Sequence, residues 1–200
     1  ADMLQRQGKL AGAEPLRREQ LALKRKLGEG QASVTGTLNN LAGILLAQHK
    51  DAEAEQLFGD PLTPGADGKP QNAAFLRLRG SFLASRGRWK EAAADTAKLI
   101  ELDPADHTLY HELAALLVQG GDLQGYRRNC AQELARFART SDPNTAERMA
   151  KDCLILPDSG VDLSAVSAWA DTSLKAGKDS GDLPWFQFCK GLAEYRQGHF

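Results

Sequence analysis

Residues 73–106 constrain the fold more than any other stretch of this chain. They read AAFLRLRGSFLASRGRWKEAAADTAKLIELDPAD. Leu76, Gly80 and Leu83 lie three and four apart, so they share one face of a first helix. Ala92 and Leu99 do the same on a second helix. Gly80 and Ala92 are small where the two helices cross and their backbones approach closely. Gly87 allows the sharp turn between them, because it can take a positive φ without a Cβ clash. Pro104 ends the second helix, since it lacks a donor and disfavours helix in the residue before it. One such hairpin cannot bury its apolar face alone and needs neighbours.

This spacing resembles the tetratricopeptide repeat, whose pattern runs W-x2-L-G-x2-Y, then A-x3-F, then P, over roughly 34 residues. Its slots hold Leu76, Arg79, Gly80, Leu83, Ala92, Thr96 and Pro104. Arg79 and Thr96 depart from the large apolar residues of the pattern, and Trp89 supplies the aromatic after the turn glycine. The resemblance implies an all-α fold: a right-handed superhelical solenoid of antiparallel helix hairpins, about five repeats with incomplete ends. On this reading residues 1–200 form one array, with partial repeats at 1–30 and 184–200. Between them come repeats at 34–58, 73–106, 107–140 and 145–176.

The rest of the chain follows the same rhythm. Residues 1–30 carry a turn at Gln7-Gly8-Lys9-Leu10, a crossing alanine at Ala13, and Pro15 in a first helical turn, where its missing N–H costs little. That helix continues through Leu16, Leu21, Leu23 and Leu27 and stops at Gly28 or Gly30. Leu38, Leu41, Ala42 and Leu45 form the next first-helix face, with a turn at His49-Lys50-Asp51 and Ala54 and Phe58 on the second helix. The interval from Ala13 to Ala54 exceeds the standard period. TLNNLAGILLAQHKDAEAEQLF and GKLAGAEPLRREQLAL resemble the long repeats of kinesin light chains and many bacterial proteins. A proline- and glycine-rich loop follows at 59–71.

After the central repeat, Tyr110, Leu113, Ala114 and Leu117 make a first helix, with a turn at Gly120-Gly121. The second helix runs from about Leu123 to Phe137, with Tyr126 and Glu133 where alanine and an apolar residue are usual. A helix over Thr145–Leu156 pairs with one over Leu163–Ala176, whose inward residues are Val166, Trp169, Ala170 and Leu174. Pro184 opens a last helix, with Gly191, Gly198 and Phe200 in the crossing, turn and aromatic slots. The stretch from LYHELAALLVQGGDLQGYRRNC through LPWFQFCKGLAEYRQGHF resembles the repeat arrays that follow the catalytic domain of some large bacterial serine/threonine kinases. No H-R-D or D-F-G motif is present, so the kinase chemistry itself is not here.

Composition excludes several function classes. The chain is 42% hydrophobic and 26% charged with a net charge of -1, so no basic excess points to nucleic acid. No apolar run reaches the roughly 20 residues of a membrane span. Cys130, Cys153 and Cys189 are odd in number, far apart and lack paired zinc-ligand spacing. They read as buried free thiols, which suits a reducing, cytoplasmic compartment. No cofactor is expected. Gly68-Lys69 is not a phosphate loop: Thr63 stands at the first glycine and Pro70 at the magnesium-binding Ser or Thr. His107 and His111, four apart with Glu112 beside them, have a zinc-compatible spacing but no apparent third ligand, and read as solvated residues at a helix start. Arg17, Arg18, Lys24, Arg25 and Lys26, interleaved with Glu14, Glu19 and Glu29, read as a solvated outer face, with an acidic partner or nucleic acid as the other reading. No catalytic constellation stands out, and the chain is not expected to be an enzyme.

In arrays of this kind the first helices line the concave side. Counting from Gly80 as the eighth position, the resemblance implies ligand-facing slots at Asn39, Asn40 and Gly43, at Arg77, Ser81 and Ser85, and at His111, Ala115 and Gln119. In the last helix they fall at Trp185, Phe188 and Arg196. Asn39, Asn40, Arg77, Ser81, His111 and Arg196 are therefore the candidate peptide-binding residues, since Asn bonds a peptide backbone and Arg forks a carboxylate. The expected function is a scaffold that holds a peptide or partner protein in its groove. The alternative is a regulatory or self-associating region of a larger bacterial signalling protein. The last helix, carrying Trp185, Phe186, Phe188, Leu192 and Tyr195, reads as an unfinished hairpin, through which a homo-oligomer could form.

Overall fold

The computed structural model describes residues 3–4, 7–59 and 73–199. The loop at 60–72, with its Gly68-Lys69 pair, lies outside the described residues, as do Phe200 and the side chain of Phe58. Ten helices occur among the described residues and no strand. They are α1 (Leu10–Lys26), α2 (Gln31–Ala47), α3 (Asp51–Gly59), α4 (Ala73–Ser85) and α5 (Trp89–Leu102). Then come α6 (His107–Gln119), α7 (Leu123–Phe137), α8 (Pro143–Leu154), α9 (Leu163–Ala176) and α10 (Leu183–Gln197). The chain divides into two compact units, 1–82 and 83–200, with the boundary inside α4.

In the N-terminal unit α2 packs on both α1 and α3. Its apolar face is the expected one: Leu38, Leu41, Ala42 and Leu45 are buried together with Leu21 of α1, Ala54 of α3, and Phe75 and Phe82 of α4. The turn after α2 passes through His49, which takes φ 58. That left-handed conformation is uncommon for a residue with a Cβ, though His tolerates it better than most. The basic stripe of α1 is not uniformly solvated. Arg17 is only 4% exposed and bonds Gln20 Oε1 at 2.7 Å. Its place on the face of Ala13 and Leu21, four residues from each, carries the long side chain under cover. Arg18 does lie outside, held by Glu14 and Glu53.

The C-terminal unit is a continuous stack of hairpins. Each helix from α5 to α10 packs on the next in sequence, and α6, α8 and α10 also lie side by side. This makes an inner layer of α6, α8 and α10 and an outer layer of α5, α7 and α9. Its core takes Ala92 and Ala93 from α5, Tyr110, Leu113 and Ala114 from α6, and Tyr126 and Cys130 from α7. Met149, Ala150 and Cys153 of α8, Val166, Trp169 and Ala170 of α9, and Cys189 and Ala193 of α10 complete it. Leu174, expected inward, is half-buried, and Ser173 takes the wholly buried place beside it.

Helix starts in this unit are fixed by one device used four times. Asp106, Asp122, Asp142 and Asp162 each accept a backbone N–H of the first turn, at 3.0, 2.7, 2.7 and 2.9 Å. Polar residues in apolar slots are satisfied internally. Thr96, buried, donates its hydroxyl to Ala92 O at 3.2 Å. Trp169 Nε1 donates to Phe137 O at 3.1 Å. Tyr126, at the alanine slot, donates to Asp152 O at 2.7 Å and accepts from Leu156 N at 3.3 Å, tying α7 to the end of α8.

The last helix turns a different face inward from the one expected. Phe186, Cys189 and Ala193 are buried, whereas Gly191 is exposed and a Cβ there would meet nothing within 4 Å. The small buried residue of α10 is thus Cys189, two positions before Gly191, and the large ring of Phe186 fills the space against the end of α9. That ring sits over Gly177.

Candidate functional site

The inner layer of the C-terminal unit carries a shallow depression of about 430 Å³. Its lining comes from all three inner helices: His111 of α6, Asn144, Glu147, Arg148 and Lys151 of α8, and Trp185 and Phe186 of α10, with Asp182 just before it. The α8 residues arrive there because Thr145, Ala146, Met149, Ala150 and Cys153 turn inward. Residues 148 and 151, three apart, are thereby left on the open side.

Its charges are unequally committed. Lys151 Nζ lies 2.7 Å from Glu147 Oε1, and Glu147 is otherwise buried. His111 Nδ1 lies 2.6 Å from Asp152 Oδ1. Burial pushes the Asp152 carboxyl above its ordinary value, while the hydrogen bond and charge of His111 pull the other way. His107, one turn earlier, is held below its ordinary value by burial first and by the charge of Arg148 second. Arg148 makes no hydrogen bond or ion pair with any described residue. Its guanidinium is free to fork a carboxylate or a pair of carbonyls. Beside it Trp185 is 63% exposed and offers an indole face. The depression therefore presents one cation without a hydrogen bond or ion pair among the described residues, and one aromatic plate, over a polar floor.

The sequence-derived residues divide between the two units. Asn39 is half-buried and Asn40 exposed on α2, and Arg77 and Ser81 are exposed on α4, in the N-terminal unit. His111 is in the depression of the C-terminal unit, with Asp152 as its partner. Arg196 does not line it: its Nη2 donates to Leu154 O at 3.2 Å and Ile155 O at 3.4 Å, capping the end of α8. His107 and His111 gather no third ligand among the described residues. Arg148 and Lys151, which also line the depression, belong to repeat 145–176 and are not among the sequence-derived residues. Taking the buried Ala150 as the eighth position there, as Gly80 is in its own repeat, places Glu147 and Lys151 in the slots of Arg77 and Ser81.

A stack of antiparallel hairpins with alternate helices side by side is the fold of tetratricopeptide-repeat proteins. Among solved structures the chain is similar to a tetratricopeptide repeat protein from Parabacteroides merdae ATCC 43184, with a TM-score of 0.59 and 17% identity, over 98% of this chain and 70% of that one. It is also similar to the TPR2AB domain of yeast Sti1, solved as a complex with pHSP90, at a TM-score of 0.46 and 11% identity, over 97% of this chain and 81% of that one. No protein-family model matches the chain, and no curated protein matches it. No helix among the described residues is long and apolar enough to cross a membrane.

Proposed function

We propose that this chain is a protein-interaction scaffold, without catalytic activity of its own, whose inner helices hold a segment of a partner protein. The observation that carries this is the pairing of an uncommitted Arg148 with an exposed Trp185 in one depression of the inner layer. Arg and Trp are enriched among the few residues that carry most of the binding energy at protein interfaces. The segment best suited to it places a carboxylate or paired carbonyls on Arg148 and an apolar or planar group on Trp185. Asn39, Asn40, Arg77 and Ser81 are the proposed counterpart in the N-terminal unit, where amide and guanidinium groups suit a peptide backbone. The parent protein on this reading is a cytoplasmic bacterial signalling protein, its repeats forming one array over 1–200, related to kinesin-light-chain-type repeats in its first part and kinase-associated repeats in its last.

The test is selection of peptides from a random displayed library against the chain, followed by affinities for Arg148→Ala and Trp185→Ala. Each variant should weaken selected peptides by more than about tenfold, which is 1.4 kcal/mol. Peptides that bind both variants as tightly as the parent would refute the placement.

A second reading is self-association through α10. It is favoured by the aromatic stripe that α10 leaves open, where Trp185, Phe188 and Tyr195 are 63%, 61% and 58% exposed. Light scattering over a concentration series separates the two, because only self-association gives a mass that rises with concentration and falls in Phe188→Ser.

A further inference from the structure

In the core of the C-terminal unit three metal-ligating side chains converge. Cys130 and Glu133 are three apart on α7 and so share a face; Cys153 comes from α8, which packs against it. All three are wholly buried, and one ligand atom from each lies within 4.8 Å of the others. Cys153 Sγ donates to Glu133 Oε2 at 3.7 Å. We propose that Cys130, Glu133 and Cys153 form a structural Zn²⁺ site that pins α7 to α8.

The distances suit the ion. Zn–S of about 2.3 Å and Zn–O of about 2.0–2.2 Å in a tetrahedron set S···O near ~3.5 Å and S···S near ~3.8 Å. The observed 3.7 Å is close to the first, and the cluster has to close by no more than about 1 Å. The donor set also fits: two thiolates with one carboxylate suit a borderline-soft cation.

Within that core, the setting of Glu133 is that of a ligand. No Lys, Arg or His among the described residues pairs with Glu133, although its carboxyl is entirely out of water. A buried carboxyl in an apolar slot costs stability unless it is compensated. The carboxyl is aimed by an outer partner: Asn129 Nδ2 donates to Glu133 Oε1 at 2.6 Å and to Tyr110 O at 3.2 Å. Asn129 Oδ1 is itself buried with no hydrogen-bond partner. It belongs to the same amide whose Nδ2 donates to Glu133. Asn129 also lines a second open depression, of about 350 Å³, between α5, α6 and α7. On binding, the Cys130 and Cys153 thiols and the Glu133 carboxyl release their protons to solvent.

The test uses the full chain, stripped with a chelator under reducing conditions and titrated with Zn²⁺ and, separately, with Co²⁺. About one equivalent should bind, Co²⁺ should give thiolate charge-transfer absorption in the near ultraviolet, and the melting temperature should rise with Zn²⁺. Cys130→Ser, Cys153→Ser and Glu133→Gln should each lose the absorption and the rise in melting temperature while keeping the helical circular dichroism of the parent. Cys189→Ser should change nothing, because that thiol faces Glu147 O at 3.6 Å instead. X-ray absorption on the Zn²⁺-loaded parent, which needs no variant, should find two sulfur neighbours at about 2.3 Å. The proposal is overturned if the parent binds no metal, if sulfur is missing from the shell, if Glu133→Gln keeps the parent's spectrum, or if Cys130 and Cys153 are joined as a disulfide in protein that takes up no ion.

Discussion

Replacing Gly177 by Ala puts the packing of the last hairpin to a sharp test. Gly177 caps the end of α9 at φ -98, which any residue adopts, so an added Cβ brings no backbone strain. It brings a collision. An ideal Cβ there lies 2.1 Å from Phe186 Cε2, 2.6 Å from Cδ2 and 2.8 Å from Ser173 O. The ring cannot swing into space, because Phe186 is only 1% exposed. Two responses are open. The helices part, at the ~1–3 kcal/mol of an overpacked core. Or the ring leaves its place and forfeits the ~1.5–3 kcal/mol of its burial. Both routes converge on a loss of about 2–3 kcal/mol. At roughly 2–4 °C per kcal/mol for a chain of this size, the midpoint falls by about 4–12 °C. Thermal unfolding followed at 222 nm reads it. The control is Gly191→Ala, at an exposed helical position where the Cβ meets nothing, which should gain up to about 1 kcal/mol. Trimming the ring should also soften the clash, so Gly177→Ala should cost less in a Phe186→Leu background. A Gly177→Ala variant within about 0.5 kcal/mol of the parent, or one that Phe186→Leu does not soften, would refute the packing of α9 on α10.

Further perturbations test other joints. Arg17→Ala, harmless if the basic stripe were solvated, should cost about 1–3 kcal/mol because the buried guanidinium and its Gln20 bond are lost, whereas Arg18→Ala on the open face should stay within about 1 kcal/mol by urea unfolding. Tyr126→Phe removes the bridge from α7 to Asp152 O and Leu156 N and should cost about 1–3 kcal/mol in the same assay. Asp142 is held below its ordinary 3.8 by the hydroxyl and N–H of Thr145, so its capping contribution is complete above that value and is lost as pH falls through the depressed one. Asp142→Ala should therefore cost about 1 kcal/mol at pH 7, with the difference from the parent vanishing in acid; a gap that persists at pH 2 would contradict the cap.

Much of the fold was legible because its signals are local. Three- and four-residue spacing located the buried faces of α2 and α6, and the boundaries of α7 and α9 coincide with those expected. Positive φ at Gly87 and Gly198 bears out the turn glycines. The failures share one cause: side chains that depart from the repeat pattern were judged by type, not by neighbour. Arg17 was read as solvated because it is charged, though its position on the face of Ala13 and Leu21 puts it inside. Gly191 is small enough for the crossing slot, yet Phe186, Cys189 and Ala193 define the buried face. Glu133 and Tyr126 looked like decay of the repeat and are instead joined to Asn129, Cys153 and Asp152 across two helices. Only three-dimensional packing brings Cys153 to Cys130 and Glu133, since their separation along the chain matches no ligand motif.

Hydrogen exchange of the full chain, with and without a library-selected peptide, tests the binding groove most directly. Protection should grow on α6, α8 and α10 around His111, Arg148, Lys151 and Trp185, and should disappear in Arg148→Ala at the same peptide concentration. Protection confined to the outer helices α7 and α9, or unchanged by Arg148→Ala, would contradict it.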